Sequence, residues 1–300
     1  MIIIKYRKIF FALSTLLMVA SLAAVYFYGL NLGIDFRGGT ITEVRFDAER
    51  PAKESVDEWV RSLDLGNFSL RPSGEKSYVI RTRELSEVEK EELRQVFGLS
   101  SSTFTIERSN TIGPVAGTEL QRKAMIAVAA VVLMIVLFVA FAFRKVSHAV
   151  SSWKYALATI LSLAHDVVIP TGIFVILGVL YGIEIDVLFV TGLLAILGYS
   201  VNDTIVVFDR VRENLQINEE KKINEPFETT VGHSITQTLG RSINTSLTIF
   251  IVLLALYILG SGAIRDFVLL LLIGTVVGTY SSIFLASPLL VTFYGWQKSK

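Results

Sequence analysis

The stretch GYSVNDTIVVFDRVREN, residues 198–214, ends an apolar run and carries an aspartate inside it. Its first half has the hydropathy of a membrane span, and Asp203 lies near the end of that run. An ionisable side chain in hydrocarbon costs about 2.5–3.5 kcal/mol on insertion scales, so such residues usually face the interior of a helix bundle and find partners there. The stretch therefore predicts an α-helical membrane protein in which Asp203 faces other helices.

The composition of the 300-residue chain supports this class. Hydrophobic residues make up 52% and charged residues 18%, and the mean hydropathy is +0.57. A helix needs about 20 apolar residues to cross a bilayer. Such runs lie near residues 9–30, 124–143, 155–181, 187–208, 242–260 and 267–293. The sequence thus predicts six transmembrane helices. A net charge of +1 does not favour nucleic acid as a partner, and the absence of cysteine excludes disulfides and thiolate metal sites.

Positive charge marks one side of the membrane. Lys and Arg collect in the short cytoplasmic loops of multi-span proteins, and here they collect at both termini and in two alternate loops. They are Lys5, Arg7, Lys8, Arg144, Lys145, Lys154, Arg210, Arg212, Lys221, Lys222, Lys298 and Lys300. We therefore expect a multi-pass protein with both termini in the cytoplasm. The first span could be a cleaved signal peptide, but its apolar run is longer than a usual signal core, which favours an uncleaved anchor.

Three units are expected along the chain. Residues 1–30 form the cytoplasmic N-terminus and first span, and residues 31–122 form an extracytoplasmic α+β domain. Residues 123–300 hold the other five spans, a cytoplasmic loop near 209–232 and the C-terminus. A polar segment as long as the second unit is too long for a simple connection and predicts a folded domain.

Strand and helix patterns alternate within residues 31–122. Strand periodicity covers 40–47, 68–72, 77–83 and 102–109, and helical spacing covers 52–63 and 85–97. Ser86 and Glu89 have the spacing of a capping box. The order β-α-β-β-α-β predicts a small ferredoxin-like fold between the first two spans. We expect binding or conformational work from it, because it contains no catalytic constellation.

Three ionisable residues lie within the predicted spans at a similar level. Helical rise places Asp166 roughly 22 Å, Asp203 roughly 24 Å and Arg241 roughly 27 Å from the outer ends of their helices. They share a level on the cytoplasmic side of the membrane centre, where long side chains can reach toward the interface.

Helical spacing surrounds these charges with polar faces. On the fifth span one stripe contains Ser234, Gln237, Thr238, Arg241, Asn244, Thr245 and Thr248. We expect a polar seam that contains an Asp203–Arg241 pair, with Asp166 nearby. Its supporting residues are Asn202, Ser200, Asn244, Thr245, Thr248 and His165.

Each of these residues also has a structural interpretation. Asp203 could fix helix packing, and Arg241 could be an interfacial anchor that follows the positive-inside rule. His165 could relay protons, but adjacent helical residues point about 100° apart, which favours a lone hydrogen-bonded histidine. No second His or Cys stands at ligand spacing, so we expect no metal site.

A carboxylate beside a guanidinium in such a seam can act as a proton switch. Ionised Asp203 would pair with Arg241, and protonation would release the arginine and let the helices move. One proton that crosses a potential of 100 mV carries about 2.3 kcal/mol.

Five segments together resemble one family. GIDFRGGT (33–40), GPVAGTEL (113–120), HD (165–166), GYSVNDTIVVFDRVREN (198–214) and RSINTSLT (241–248) are similar to the motifs of SecF, a membrane subunit of protein export. The resemblance covers nearly the whole chain and keeps the motif order. The Gly38–Gly39 pair of the first segment predicts a tight turn where the chain leaves the membrane. The simpler interpretation of this segment is a linker.

The resemblance implies half of an RND-type transporter, with SecD as the other half. It implies use of the proton gradient, with Na⁺ as an alternative ion, to pull unfolded polypeptide from the SecYEG channel in the cytoplasmic (inner) membrane. YajC is a further candidate partner, beside membrane lipid. The family's proton-pathway carboxylate and arginine fall on Asp203 and Arg241, Asp166 matches the HD position, and Gly33, Asp35, Gly38 and Gly39 belong to the first motif.

Two other functions remain open at this point. An RND-type exporter of small molecules or lipids would also need carboxylates in the membrane, although one small outer domain disfavours it. A passive scaffold or membrane chaperone would use the polar seam to hold partners. In every case we expect no bond-making chemistry, no catalytic residue and no cofactor beyond the coupling ion.

Overall fold

A computed structural model describes residues 2–100, 103–144, 151–260 and 262–298. Ser102, Lys145 and Lys300, which enter the predictions above, lie outside them. Within the described residues six helices are long and apolar enough to cross a membrane, as predicted. These spans are Arg7–Tyr28, Pro114–Ala142, Ser152–Tyr181, Val187–Glu220, Phe227–Leu259 and Ile264–Trp296.

The elements are named in chain order. The helices are α1 (Ile2–Lys5), α2 (Arg7–Tyr28), α3 (Ile34–Arg37), α4 (Lys53–Arg61), α5 (Glu87–Ser100), α6 (Pro114–Ala142), α7 (Ser152–Tyr181), α8 (Val187–Glu220), α9 (Phe227–Leu259), α10 (Gly262–Tyr280) and α11 (Ser287–Lys298). A π-helical segment, Ser281–Ala286, joins α10 to α11. The strands are β1 (Gly39–Phe46), β2 (Ser69–Ser73), β3 (Ser77–Thr82) and β4 (Phe104–Ile112).

The connection between the fourth and fifth spans is shorter than predicted. Instead of a loop near 209–232, α8 continues to Glu220 and α9 begins at Phe227, directly after Pro226. The charged end of α8 stays helical because its charges pair one turn apart, with Arg210 2.8 Å from Glu213. A connection of six residues therefore fixes two long antiparallel helices to each other.

The polar segment between the first two spans folds as β-α-β-β-α-β, the predicted element order. Its four strands form an antiparallel sheet in the order β2-β3-β1-β4. One apolar core lies between the sheet and its two helices, with Phe46, Val56 and Phe97 fully buried. At the start of α5 the predicted capping box forms, since the Ser86 amide donates to Glu89 at 2.8 Å and the Glu89 amide donates to the Ser86 hydroxyl at 3.3 Å.

The six spans divide into central and peripheral helices. About half of the apolar stretch of α7, α8 and the sixth span is buried, against 17% or less for α2, α6 and α9. The sixth span widens into its π-helical segment just before Pro288. Proline has no amide hydrogen to donate to the preceding turn, so the regular helical bonding is interrupted there. The central helices are the ones that carry the buried polar residues.

Candidate functional site

Asp166 is the centre of a buried polar cluster. Its side chain, on α7, is fully buried. The carboxylate accepts hydrogen bonds from the Ser200 hydroxyl of α8 and, at 2.8 Å, from the Ser281 hydroxyl of the π-helical segment. Three helices are therefore tied together at one side chain, as expected of a buried polar group that must be hydrogen-bonded.

The π-helical segment extends this cluster. The Ser282 hydroxyl donates to the Ser200 carbonyl at 3.1 Å and lies 3.0 Å from the Thr204 hydroxyl. A π-helical turn leaves backbone groups outside the regular pattern, and such turns are frequent at functional sites. Sequence reasoning missed Ser281 and Ser282. The available signal was the serine pair in the otherwise apolar run from 267 to 293.

His165 joins the cluster through its neighbour in the chain. Its Nδ1 lies 3.0 Å from Asp166, despite the angular separation of adjacent helical residues. The ring stacks on Tyr280 with centroids 5.8 Å apart. The Tyr280 hydroxyl donates to the Phe10 carbonyl of α2 at 3.0 Å. His165 is thus hydrogen-bonded and connects the buried cluster with the first span.

Asp203 is buried but lacks such partners. It is 3% exposed, and among the described residues its carboxylate accepts no hydrogen bond. Arg241 acts on it electrostatically from beyond ion-pair distance. The Asp203–Arg241 pair predicted from the sequence is therefore not formed within the single chain.

The orientation of α9 explains the missing pair. Arg241 lies on the exposed side of the helix, while Ser242 and Ser246 point into the bundle. The Ser246 hydroxyl lies 2.8 Å from the Tyr199 hydroxyl and accepts from Thr279 at 2.6 Å. Neighbouring residues differ by about 100° around a helix, so packing through Ser242 and Ser246 turns Arg241 outward.

The other predicted seam residues divide in the same way. Ser200 and His165 are buried in the Asp166 cluster. The remaining four side chains are exposed; they are Asn202, Asn244, Thr245 and Thr248. We call Arg241, Asn244, Thr245 and Thr248 the polar face of α9. Among the described residues no three acidic or histidine side chains converge to hold a metal ion.

The segment from Gly33 to Thr40 is a compact elbow between the first span and the sheet. Gly38 and Gly39 have φ of 79° and 135°, which side chains other than hydrogen rarely allow. A Cβ on Gly38 would lie 2.8 Å from Pro114 at the start of α6, and one on Gly39 would lie 2.6 Å from the Thr82 carbonyl. Both glycines therefore allow a close approach of backbones, a role beyond that of a linker.

The same elbow contacts the fourth span. The Asp35 carboxylate accepts from the Val187 amide at 3.0 Å, at the first residue of α8. The Gly33 amide donates to the Ile185 carbonyl at 2.9 Å. The structure thus brings Gly33 and Asp35 to the N-terminal end of the helix that carries Ser200 and Asp203.

Six helices that are long and apolar enough to cross a membrane define a polytopic membrane protein, and buried ionisable residues lie on its central helices. Residues 92–296 match the family described as protein export membrane protein SecD/SecF, C-terminal, and residues 23–49 match the SecD/SecF GG motif. The chain therefore belongs to the SecF family of protein translocase subunits.

Similar proteins support this assignment along the full length. Protein translocase subunit SecF of Thermobaculum terrenum is 40% identical and matches 97% of this chain and 93% of its own length. SecF of Anaerolinea thermophila is 37% identical and matches 96% of this chain and 92% of its own length. The crystal structure of SecDF, a translocon-associated membrane protein from Thermus thermophilus, is 33% identical with a TM-score of 0.82. It matches 98% of this chain, which spans 38% of that longer chain.

Proposed function

We propose that the chain works with SecD in the cytoplasmic (inner) membrane and uses the proton-motive force to promote movement of unfolded polypeptide through the SecYEG channel. In this proposal it is half of an RND-type transporter, with cytoplasmic termini and a ferredoxin-like domain outside the membrane. It performs no bond-making chemistry, takes H⁺ as the coupling ion with Na⁺ as the alternative, and has YajC as a further partner.

Buried Asp203, which has no hydrogen-bond partner among the described residues, carries the proposal. A carboxylate in this position is costly when ionised, so a proton or a cationic partner has a large effect on it. The Asp166 cluster next to it joins α7, α8 and the sixth span. A change of charge at Asp203 therefore acts at the helices that make up the centre of the bundle.

The polar face of α9 supports SecD as the partner. Arg241 and its polar neighbours are exposed at membrane depth, where lipid is a poor environment for them. A second subunit packed on this face would cover these groups and bring Arg241 into a protein interior. The relative named SecDF, from Thermus thermophilus, contains a matching region within a longer chain. We propose that the Asp203–Arg241 interaction becomes a close pair when SecD binds.

The test is Asp203→Asn, in proteoliposomes that carry out export through SecYEG and contain SecD and this chain. The amide keeps the shape of the side chain but cannot ionise, so we expect loss of the increase in export that a proton gradient produces, with SecD binding retained. Asp209→Asn on the exposed part of the same helix is the control. Normal gradient-dependent export by Asp203→Asn would contradict the proton-switch role.

A further inference from the structure

The outer loop between α7 and α8, residues 182–186, is fastened to the elbow before the sheet. The Ile185 amide donates to the Asn31 carbonyl at 2.8 Å, next to the bond from the Gly33 amide to the Ile185 carbonyl. The Asn31 side chain donates to the Ile183 carbonyl at 3.0 Å. These backbone bonds form an isolated parallel bridge between Leu32 and Ile185, which holds the loop to the start of the elbow.

Glu184 extends this attachment to the sheet itself. Its carboxylate lies 2.9 Å from the Arg81 guanidinium on β3 and 3.8 Å from the Arg71 guanidinium on β2. The three side chains are 13%, 19% and 21% exposed, so the pairs are shielded from water. Loss of one partner from a shielded ion pair leaves an uncompensated charge away from water. Separation of such a pair therefore costs more free energy than separation of an exposed one.

Burial disfavours the ionised carboxylates at this junction. It raises the pKa of Glu184, and the Arg81 and Arg71 guanidinium groups oppose that rise. Burial also raises the pKa of Asp186. Three more charges act on this group of residues: Arg37 and Asp35 on the elbow and Asp266 at the outer end of α10. The ionised form of Glu184 therefore depends on the arginines of the sheet.

The attached loop joins the two helices that carry the buried carboxylates. Asp166 lies on α7 and Asp203 on α8, and Asp35 binds the first amide of α8. A shift of these helices along their axes moves the loop between them, and the loop is held to the sheet at Glu184 and to the elbow at Ile185. The membrane centre and the outer domain thus share a direct noncovalent connection.

We propose that Glu184 and Arg81 are positioning residues that transmit movement of the α7–α8 hairpin to the outer domain. This inference rests on the proposed function, because it takes ion-linked movement of α8 as the input. It adds the contact through which that movement reaches the outer domain. Without the Glu184–Arg81 pair the elbow still bonds the hairpin at Ile185 and Val187. The sheet, however, loses its closest direct contact with the hairpin and follows its movement less.

The experiment measures the distance between the hairpin and the outer domain directly. The chain has no cysteine, so Glu75→Cys in the β2–β3 turn and Tyr181→Cys at the outer end of α7 label two exposed sites uniquely. Spin-label distances are recorded in proteoliposomes with and without Asp203→Asn, which imitates the protonated side chain. We expect Asp203→Asn to shift the distance, and we expect the shift to be reduced when Glu184→Gln is added.

Exchanging the charges of Glu184 and Arg81 distinguishes a role in transmitting movement from a role in stability alone. Glu184→Arg combined with Arg81→Glu restores an ion pair of opposite polarity and is expected to recover the full shift that either single change reduces. Glu107→Gln, which breaks the exposed pair of Glu107 with Arg45, should leave the shift unchanged. Thermal unfolding of each variant identifies any that lose the fold, and Arg81→Gln then provides the second route to the same broken pair.

The outcomes for the two proposals are distinct. A shift that persists at full size in both Glu184→Gln and Arg81→Gln would overturn the junction role, whatever the export assay shows. So would an Asp203→Asn variant that loses gradient-driven export but shows no shift at all. If Asp203→Asn shifts the distance yet supports normal gradient-driven export, the proposed function fails while the junction stands.

Discussion

Two polar regions of the membrane-spanning helices differ in whether their polar groups are buried with hydrogen-bond partners from other helices or left exposed. The Asp166 cluster is buried among three helices of the same chain, and its carboxylate has hydrogen-bond partners from each of them. The polar face of α9 lies at the surface of a helix of which only 11% of the apolar stretch is buried. The carboxylate of the first region finds its hydrogen-bond partners within the chain, although the buried Nε2 of His165 has none among the described residues. The side chains of the second region are exposed. The comparison thus separates polar groups that hold the helices of one chain together from polar groups that the chain leaves exposed.

The largest expected effect is on the Asp166 cluster. Asp166→Ala removes the acceptor for Ser200 and His165, while Ser281 keeps its bond to the Gly278 carbonyl. A buried group left without a partner costs about 1–3 kcal/mol. We expect a clear fall in the thermal unfolding midpoint of the purified chain in detergent.

The control for this change is Asp209→Ala, on the exposed part of α8. We expect its midpoint to stay close to that of the unaltered chain, because surface changes usually alter stability little. Equal midpoints for Asp166→Ala and Asp209→Ala would show that the cluster does not stabilise the bundle.

The second prediction uses two neighbours on α9. Ser246→Ala removes the hydroxyl that bonds Tyr199 and Thr279, although Thr279 keeps its bond to the Thr275 carbonyl. It should therefore lower stability by about 0.5–1.5 kcal/mol and leave SecD binding intact. Thr245→Trp places a large side chain on the polar face. It should leave the stability of the isolated chain nearly unchanged and reduce the amount of SecD that copurifies.

Thermal unfolding and copurification from membranes that contain both subunits measure the two effects. The difference between the two regions would be refuted if Thr245→Trp bound SecD normally, or if Ser246→Ala lost SecD while retaining its unfolding midpoint.

The smallest expected effect concerns the outer domain, whose ion pairs are mostly exposed. The hydrogen bond from Arg83, helped by the Ser86 amide, lowers the pKa of Glu89 from 4.5 to about 2. The folded state therefore favours the carboxylate. Its contribution to stability is fully present above pH 4.5 and is lost as the pH falls toward 2.

Amide hydrogen exchange at the start of α5, corrected for the intrinsic effect of pH, measures this loss. Glu89→Gln should remove this part of the pH dependence, whereas Glu91→Gln, which changes a neighbouring exposed pair, should retain it. An identical pH profile in Glu89→Gln would show that the capping box does not hold the helix start.

The elbow shows how far a motif can be interpreted without coordinates. Its glycine pair predicts a tight turn, and the structure has positive φ at both positions. The carboxylate of Asp35 and the amide of Gly33 find their partners about 150 residues later, at Val187 and Ile185. No local pattern contains that information, because the contact depends on where the outer ends of α7 and α8 lie.

The sequence by itself determined the six spans, the β-α-β-β-α-β order of the outer domain and the SecF family. Hydropathy, alternation, capping and motif order are properties of neighbouring residues, so they can be read along one chain. The tertiary structure decided that α9 packs through Ser246, that Arg241 faces outward and that Ser281 completes the Asp166 cluster. The rotation of a helix about its axis follows from packing against its neighbours, and a periodic pattern with polar residues on two adjacent faces does not fix it.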